Sequence, residues 1–253
     1  MSSYEEQFRS ALGFTNQRRL RKYFKATDLV VINWDKIEQN NQRLIDMCKR
    51  INGALSPDIQ LEDINAVEVK LKDAYNIMRE NNIFPHLNNQ GRTPDDVYYN
   101  WMRGYMMCEL FVPALSKLFG VPTENIRQTG QDDLTNTETF SRAATADLEV
   151  VFPDSRRVRL EMQAGFTGVN DIKGSKIDEA VNLKKSSGID TYVVHIDVFN
   201  GKAAIIDISI ADISTLNFHK AFENTNVISI EPYQFRWKLA DPLPSLEDVL
   251  IQL

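Results

Sequence analysis

The chain has 253 residues, of which 43% are hydrophobic and 25% charged, a composition typical of a globular protein with a sizeable core. Its formal net charge of −6 excludes a generally basic surface that coats nucleic acid, although it leaves room for a locally basic site. The longest strongly apolar run, residues 105–115, is too short to span a membrane. The N-terminus has no signal-peptide core, and the two cysteines have no metal-ligand spacing. We therefore expect a cytoplasmic protein with no membrane segment.

Residues 1–93 are predicted to form a helical N-terminal region. Apolar residues recur with helical spacing over residues 33–52 and 58–82. Residues 1–25 are the most basic stretch of the chain. They indicate either an arm that contacts phosphates or a solvated face of an amphipathic helix.

Residues 94–253 are predicted to form an α/β domain. A helix-capping pattern precedes residues 94–119, which are apolar on almost every side towards their end, so this helix should lie at the centre of the fold. Glu109 is the exception within it. Its carboxylate is costly to bury alone, so it either pairs with Arg103 or a lysine, or approaches an acidic cluster elsewhere in the fold.

The sequence of residues 146–164 predicts a β-hairpin. Residues 146–152 and 158–164 alternate apolar and polar side chains, and residues 153–156 between them are typical of a turn. If Pro153 lies opposite Arg157, the hairpin acquires one apolar face and one polar face. A slip of one residue would mix the two sets, so this register is favoured.

This register predicts a cluster of acidic side chains on the polar face. Glu149 would face Glu161, and Asp147 would face Gln163, so that three carboxylates and one amide converge. Like charges opposite one another are destabilising unless a cation joins them, and Mg²⁺ is a suitable cation because it binds carboxylate oxygens and keeps waters. The alternative is an ordinary solvent-exposed polar face.

Further elements follow the hairpin. His195 falls on an alternating strand, which favours a structural role for it over a catalytic one. The Asn200-Gly201 pair is a strong hairpin-turn signal. In chain order we predict a helix over 175–186, strands over 191–198 and 202–210, a helix over 213–223, strands over 227–231 and 234–239, and a short terminal helix.

The hairpin and its surroundings resemble the PD-(D/E)xK nuclease superfamily. Asp147 is followed after thirteen residues by Glu161, Met162 and Gln163. In that superfamily an Asp begins one strand and (Asp/Glu)-x-Lys lies on the next. The chain is most similar to type II restriction endonucleases of the variant that carries Gln in place of the lysine. The resemblance covers residues 94–210 and implies a restriction-endonuclease-like core, which is a mixed central sheet flanked by helices.

The resemblance implies Mg²⁺-dependent hydrolysis of DNA phosphodiesters. Asp147 and Glu161 would hold the metal, and Glu149 or Glu109 would be additional ligands. A literal Pro-Asp pair ends at Asp154, but this residue falls in the turn. At about 3.3 Å per residue it lies roughly 20 Å along the ribbon from Asp147.

The lysine of the motif has no direct counterpart in this chain. Gln163 can orient a water molecule, but it carries no charge. We hypothesise that Lys173 or Lys176, just after the hairpin, supplies the charge instead.

The resemblance also implies partners. Double-stranded DNA would be the substrate, and a palindromic site would suit a homodimer. A DNA methyltransferase would protect the host, in the cytoplasm of a bacterium or archaeon. The helical region would contact DNA or mediate dimerisation. Candidate DNA contacts, chosen from basic and loop positions, are Arg18, Arg19, Gln90, Arg92, Arg127 and Gln128.

Three alternatives stay open. The same core could belong to a repair or junction-resolving nuclease, which would select DNA structure rather than sequence. A DNA-binding protein with a decayed active site would also carry Gln163. An intracellular interaction domain would bind no DNA at all.

Overall fold

A computed structural model of the protein describes residues 3–24, 30–87, 92–129, 147–166, 168–221 and 225–253, without the side chains of Arg18 and Lys22. The helices are α1 (Tyr4–Leu12), α2 (Gln17–Phe24), α3 (Trp34–Ala54), α4 (Ile64–Glu80), α5 (Pro94–Phe119), α6 (Gly174–Ser187) and α7 (Leu246–Val249). The strands are β1 (Ile126–Gln128), β2 (Leu148–Val151), β3 (Arg157–Gly165), β4 (Asp171–Lys173), β5 (Asp190–Asp197), β6 (Lys202–Asp207), β7 (His219–Lys220), β8 (Asn226–Ser229), β9 (Trp237–Lys238) and β10 (Leu250–Gln252).

The main sheet is mixed and has seven strands, in the order β1-β2-β3-β5-β6-β10, with β9 paired to β6. The central strand β3 is antiparallel to β2 and parallel to β5. The chain crosses from β3 to β5 through β4 and α6, which is the connection that a parallel pair requires. Strands β4, β8 and β7 form a smaller sheet. A mixed sheet flanked by helices confirms the predicted α/β class.

The long helix α5 covers one face of the main sheet. Pro94 opens it and Gly120 ends it in the left-handed region, with φ 64°. Its buried side chains share one hydrophobic cluster with Leu148 and Leu160 of the sheet, and helices α3 and α4 belong to the same cluster. The division of the chain at residue 93 stays a prediction about domain organisation. Across the described residues, no helix combines the length and apolarity needed to cross a bilayer.

Helix α6 covers the opposite face of the sheet. Ile177 and Ala180 pack against Val193 and Ile206 in a second hydrophobic cluster. Val193 lies beside Glu161 in the parallel register of β3 and β5. The polar face of the β2–β3 hairpin therefore lies on the α6 side of the sheet, whereas its apolar face lies against α5.

The predicted register of the hairpin is wrong by two residues. Glu149 lies opposite Arg159, and continuing this register places Asp147 opposite Glu161. The turn begins one residue earlier than predicted, at Pro153 instead of Asp154, because Ser155 takes a left-handed conformation, with φ 67°, and the Phe152 amide donates to the Arg156 carbonyl at 2.9 Å. Because the side-chain period is two, the shift leaves the two faces unchanged.

The C-terminal part departs from the predicted elements. The predicted helix over 213–223 is wrong, because this stretch contains turns and strand β7, and its residues 222–223 lie outside the described residues. Asp212 accepts hydrogen bonds from the amide and the hydroxyl of Ser214, at 3.1 and 2.7 Å. Such local bonds compete with helix formation. The predictions also missed β1 and the terminal strand β10, which pairs with β6.

The register can be tested with a cross-strand disulfide. Phe152 and Arg156 form a hydrogen-bonded pair, and the two pair types alternate along an antiparallel ladder. Glu149 and Arg159, three positions along, therefore form a non-hydrogen-bonded pair, in which the side chains approach most closely. We expect the double variant Glu149→Cys, Arg159→Cys to form a disulfide in air, counted by mass spectrometry after thiol alkylation. The control Glu149→Cys, Glu161→Cys places the sulfurs on a diagonal, with Cα atoms about 7–8 Å apart, and should stay reduced. If only the Glu149→Cys, Glu161→Cys variant formed a disulfide, the register predicted from sequence would be the correct one.

Candidate active site

Two carboxylates lie side by side where β2 and β3 meet. Asp147 immediately precedes β2 and lies opposite Glu161 of β3. The Met162 amide donates a hydrogen bond of 2.7 Å to Oδ2 of Asp147. This bond anchors the Asp147 carboxylate at the edge of β3, next to Glu161.

Glu161 is buried, and its charge is only partly compensated. Its side chain is 8% exposed. Burial, and then the neighbouring Asp147, raise the pKa of Glu161 to about 7, although Lys176 opposes the shift. Such an uncompensated carboxylate favours binding of a cation.

Lys176 supplies the positive charge that lies nearest to these carboxylates. Its Nζ is 3.0 Å from Oε1 of Glu161. Burial lowers the pKa of Lys176, but the attraction and hydrogen bond to Glu161, together with the charges of Glu179 and Asp147, outweigh burial, and the net shift is upward. The ammonium is therefore charged at neutral pH and is held next to the acidic pair.

The fold explains why Lys176 reaches the site and Lys173 does not. Lys176 lies in the first turn of α6, beside Ile177, which is completely buried against the sheet. Lys173 ends β4 and its side chain is exposed. Glu179, one helical turn after Lys176, adds to the negative potential at Glu161. Sequence analysis missed Glu179, and its i,i+3 spacing from Lys176 is the signal that could have found it.

Gln163 is held by a chain of polar groups centred on the buried His195. His195 lies beside it in the sheet register, and its Nδ1 is 3.0 Å from Oε1 of Gln163. The other ring nitrogen, Nε2, is 2.8 Å from Oδ1 of Asn170. Gly165 makes this approach possible, since a Cβ at that position would lie 3.0 Å from both His195 and Asn170. His195 is thus a positioning residue for Gln163, in agreement with its predicted structural role.

Glu149 is placed among arginines rather than carboxylates. It lies opposite Arg127 on one side and Arg159 on the other. Its Oε1 is also 3.8 Å from Nη1 of Arg157. The expectation that Glu149 faces Glu161 is wrong because of the register shift, and the structure gives Glu149 partners that do not need a metal.

Glu109 does not join the acidic pair. It forms an ion pair with Lys70 and accepts a hydrogen bond from Gln128. Gln128 lies beside Leu148, whose side chain is buried against α5, so this contact is on the opposite face of the sheet from Glu161. The prediction that Glu109 is an additional metal ligand is therefore wrong, and Glu109 pairs with a lysine instead. Gln128 is likewise turned towards α5 rather than towards a DNA surface.

The remaining candidates for DNA contact are scattered. Arg127 is exposed on β1, on the same face as Asp147 and Glu161. Arg19 on α2 and Arg92 before α5 are also exposed. Gln90 and the side chain of Arg18 lie outside the described residues, so their predicted roles stay predictions.

The turn carboxylate Asp154 is remote from the pair, as predicted. Its side chain is 69% exposed, and its Oδ1 accepts a hydrogen bond from the Arg156 amide. It lies at the opposite end of the hairpin from Asp147. The literal Pro-Asp sequence therefore stabilises the turn.

The acidic pair fits Mg²⁺ even though it is small. Within the ranges that the structure describes, no three His, Cys, Asp or Glu side chains converge as a ready-made metal site. Mg²⁺ requires less than this, because it keeps several waters and is commonly held by one or two carboxylates together with substrate phosphates. Asp147 and Glu161 provide two adjacent carboxylates of this kind.

Comparisons with known proteins add no relative. The chain matches no family, and searches of curated proteins and of solved structures gave no significant match.

The buried His195 predicts a pH-dependent stability. Burial lowers the pKa of His195 from 6.5 to about 4. Between these values the unfolded chain binds more protons than the native protein, so stability is lost as the pH falls through this window. We expect the free energy of unfolding in urea to fall by about 2 kcal/mol from pH 7 to pH 5 because of this group.

The variant His195→Gln provides the control for this measurement. It keeps a polar side chain but does not titrate, so the part of the pH dependence due to His195 should disappear. Identical pH dependence in the variant and the wild type would contradict a buried, neutral His195.

Proposed function

We propose that this protein is a Mg²⁺-dependent endodeoxyribonuclease that cuts double-stranded DNA at a specific sequence, in the manner of type II restriction endonucleases. The observation that carries the proposal is the placement of Asp147 opposite Glu161, with Lys176 paired to Glu161. An acidic pair and a half-buried lysine on neighbouring elements provide the groups that phosphodiester hydrolysis needs.

Each residue of the site has a distinct role in this proposal. Asp147 and Glu161 would hold Mg²⁺, which lowers the pKa of a bound water and neutralises charge on the phosphate when it is present. Lys176 brings a fixed positive charge and three N–H donors to the side of Glu161. Gln163, anchored through its amide oxygen by His195, presents its amide group on the same face of β3 as Glu161.

This division of roles accounts for the missing motif lysine. Gln163 occupies the lysine position of the motif on β3 and keeps its hydrogen-bonding capacity. Lys176 on α6 restores the charge from a different element. The pairing of Lys176 with Glu161 favours an active site over a decayed one, because a decayed site has no need for a lysine held beside its carboxylates.

Partners follow from the same proposal. A palindromic target would require a homodimer with two such sites, and a companion methyltransferase would protect the host DNA. Arg127 is an exposed cation on the same face as the acidic pair, and among the described residues predicted to contact DNA it is the best placed to contact a phosphate.

The proposal is tested by incubating the purified protein with unmethylated phage DNA, in Mg²⁺ and in EDTA. Discrete fragments that require Mg²⁺ are expected. A smear, or cutting only at branched DNA, would instead indicate a repair or junction-resolving nuclease. Salt-sensitive binding without cleavage would indicate a DNA-binding protein, and no binding at all would rule out a function on DNA.

Lys176 and Lys173 provide a matched pair of substitutions. We expect Lys176→Met to lower the cleavage rate by about 10²–10³-fold, since it removes a preorganised charge from the site. Lys173→Met, only three residues away and exposed, should cleave at the wild-type rate. Single-turnover cleavage of plasmid DNA measures both rates. Equal rates for the two variants would remove Lys176 from the proposed site.

A further inference from the structure

A polar pocket of about 190 Å³ lies at the carboxyl ends of the parallel strands β3 and β5. Ligands of α/β proteins commonly bind at this end of parallel strands. Its lining combines hydrogen-bonding and apolar side chains. The hydrogen-bonding residues include Asn170, Asp197, Asn200 and Lys202, and the apolar residues include Ile230 and Phe235.

The pocket is structurally continuous with the acidic pair. Asp197 lies beside Gly165, which follows Glu161 on β3 by four residues, or about 13 Å at 3.3 Å per residue. The chain of contacts from Gln163 through His195 ends on Asn170, which lines the pocket. Phe235 stands edge-on to the His195 ring, with the ring centroids 5.8 Å apart. The pocket therefore opens within reach of a DNA strand bound at Asp147 and Glu161.

The volume and lining select the size and chemistry of an occupant. A cavity of about 150 Å³ is known to hold benzene, so the pocket accepts a single six-membered ring with its substituents. Asp197 accepts hydrogen bonds from the amide and the side chain of Asn200, at 3.1 and 2.7 Å. Its carboxylate still has lone pairs for one more donor. Lys202, opposite Asp197 in the sheet, offers donors to a carbonyl oxygen.

Exposed apolar side chains flank the lining residues along the chain. Phe199 is 83% exposed and precedes Asn200, and Tyr233 is 73% exposed and precedes Gln234 and Phe235. Val169, next to Asn170, is 61% exposed. Apolar and aromatic side chains of this kind separate stacked bases when a protein opens a duplex.

We propose that this pocket receives one cytosine base, rotated out of the DNA duplex when the protein binds its site. The inference rests on the proposed nuclease function and extends it. The exocyclic amino group of cytosine donates to Asp197, its carbonyl oxygen accepts from Lys202, and its ring packs against Phe235. Thymine lacks the amino donor, and adenine lacks the carbonyl oxygen, so neither base satisfies both Asp197 and Lys202.

The test combines removal of a base with substitution of the pocket. A short palindromic duplex that spans the cleavage site is bound in Ca²⁺ in place of Mg²⁺. Each cytosine, together with its symmetry-related cytosine in the other half-site, is replaced in turn by an abasic nucleotide. On intact DNA we expect Asp197→Asn to bind about tenfold more weakly than the wild type. At one abasic position this difference should vanish, because no base enters the pocket.

The control variant is Asp212→Asn. Asp212 also accepts hydrogen bonds within a local turn, from Ser214, but it does not line the pocket. It should bind every duplex like the wild type. Lys202→Met, at an exposed position, repeats the test if Asp197→Asn does not fold.

The outcomes separate the two proposals. The base pocket would be overturned if Asp197→Asn bound every abasic duplex more weakly than the wild type, or if it bound intact DNA as tightly as the wild type. Either result would leave the proposed nuclease function standing. Absence of DNA binding and cleavage by the wild-type protein would overturn both. A difference that vanishes at a single symmetry-related pair of cytosines would support the pocket, since a purely structural defect affects all duplexes alike.

Discussion

The site depends on the repulsion between two neighbouring carboxylates. Asp147 and Glu161 lie opposite each other on adjacent strands, and Glu161 is largely removed from water. This arrangement is unfavourable for both charges unless positive groups approach. The Met162 amide and the Lys176 ammonium provide part of the compensation. In the proposed function, the remaining negative potential is what would attract a divalent cation to the pair.

The fold holds this pair in place by burying the two faces of β3 differently. Helix α5 packs on the apolar face, so β3 cannot rotate or slip by one residue without exposing Leu160. Helix α6 packs on the other face through Ile177 and so delivers Lys176 to Glu161. The crossover that α6 forms between parallel strands also places Gln163, His195 and the pocket at one end of the sheet.

The sequence predicts correctly which face of a strand each side chain occupies, but it does not predict which residue of the paired strand lies opposite it. Alternation along β2 and β3 predicts correctly which side chains share the polar face, because a slip of two residues leaves every side chain on the same face of the strand. The left-handed Ser155 that fixes the position of the turn has no signal as strong as glycine, so the register could not be predicted. The choice between Lys173 and Lys176, and the pairing of Glu109 with Lys70, depend on how helices dock. Local spacing does not contain that information.

The central claim is that Asp147, and not the literal Pro-Asp carboxylate of the turn, acts with Glu161. It is tested most directly by comparing Mg²⁺-dependent cleavage of plasmid DNA by the wild type, Asp147→Asn and Asp154→Asn. The account predicts that Asp147→Asn abolishes cleavage and that Asp154→Asn, at an exposed turn position, leaves the rate unchanged. Loss of cleavage in Asp154→Asn together with full activity in Asp147→Asn would contradict it.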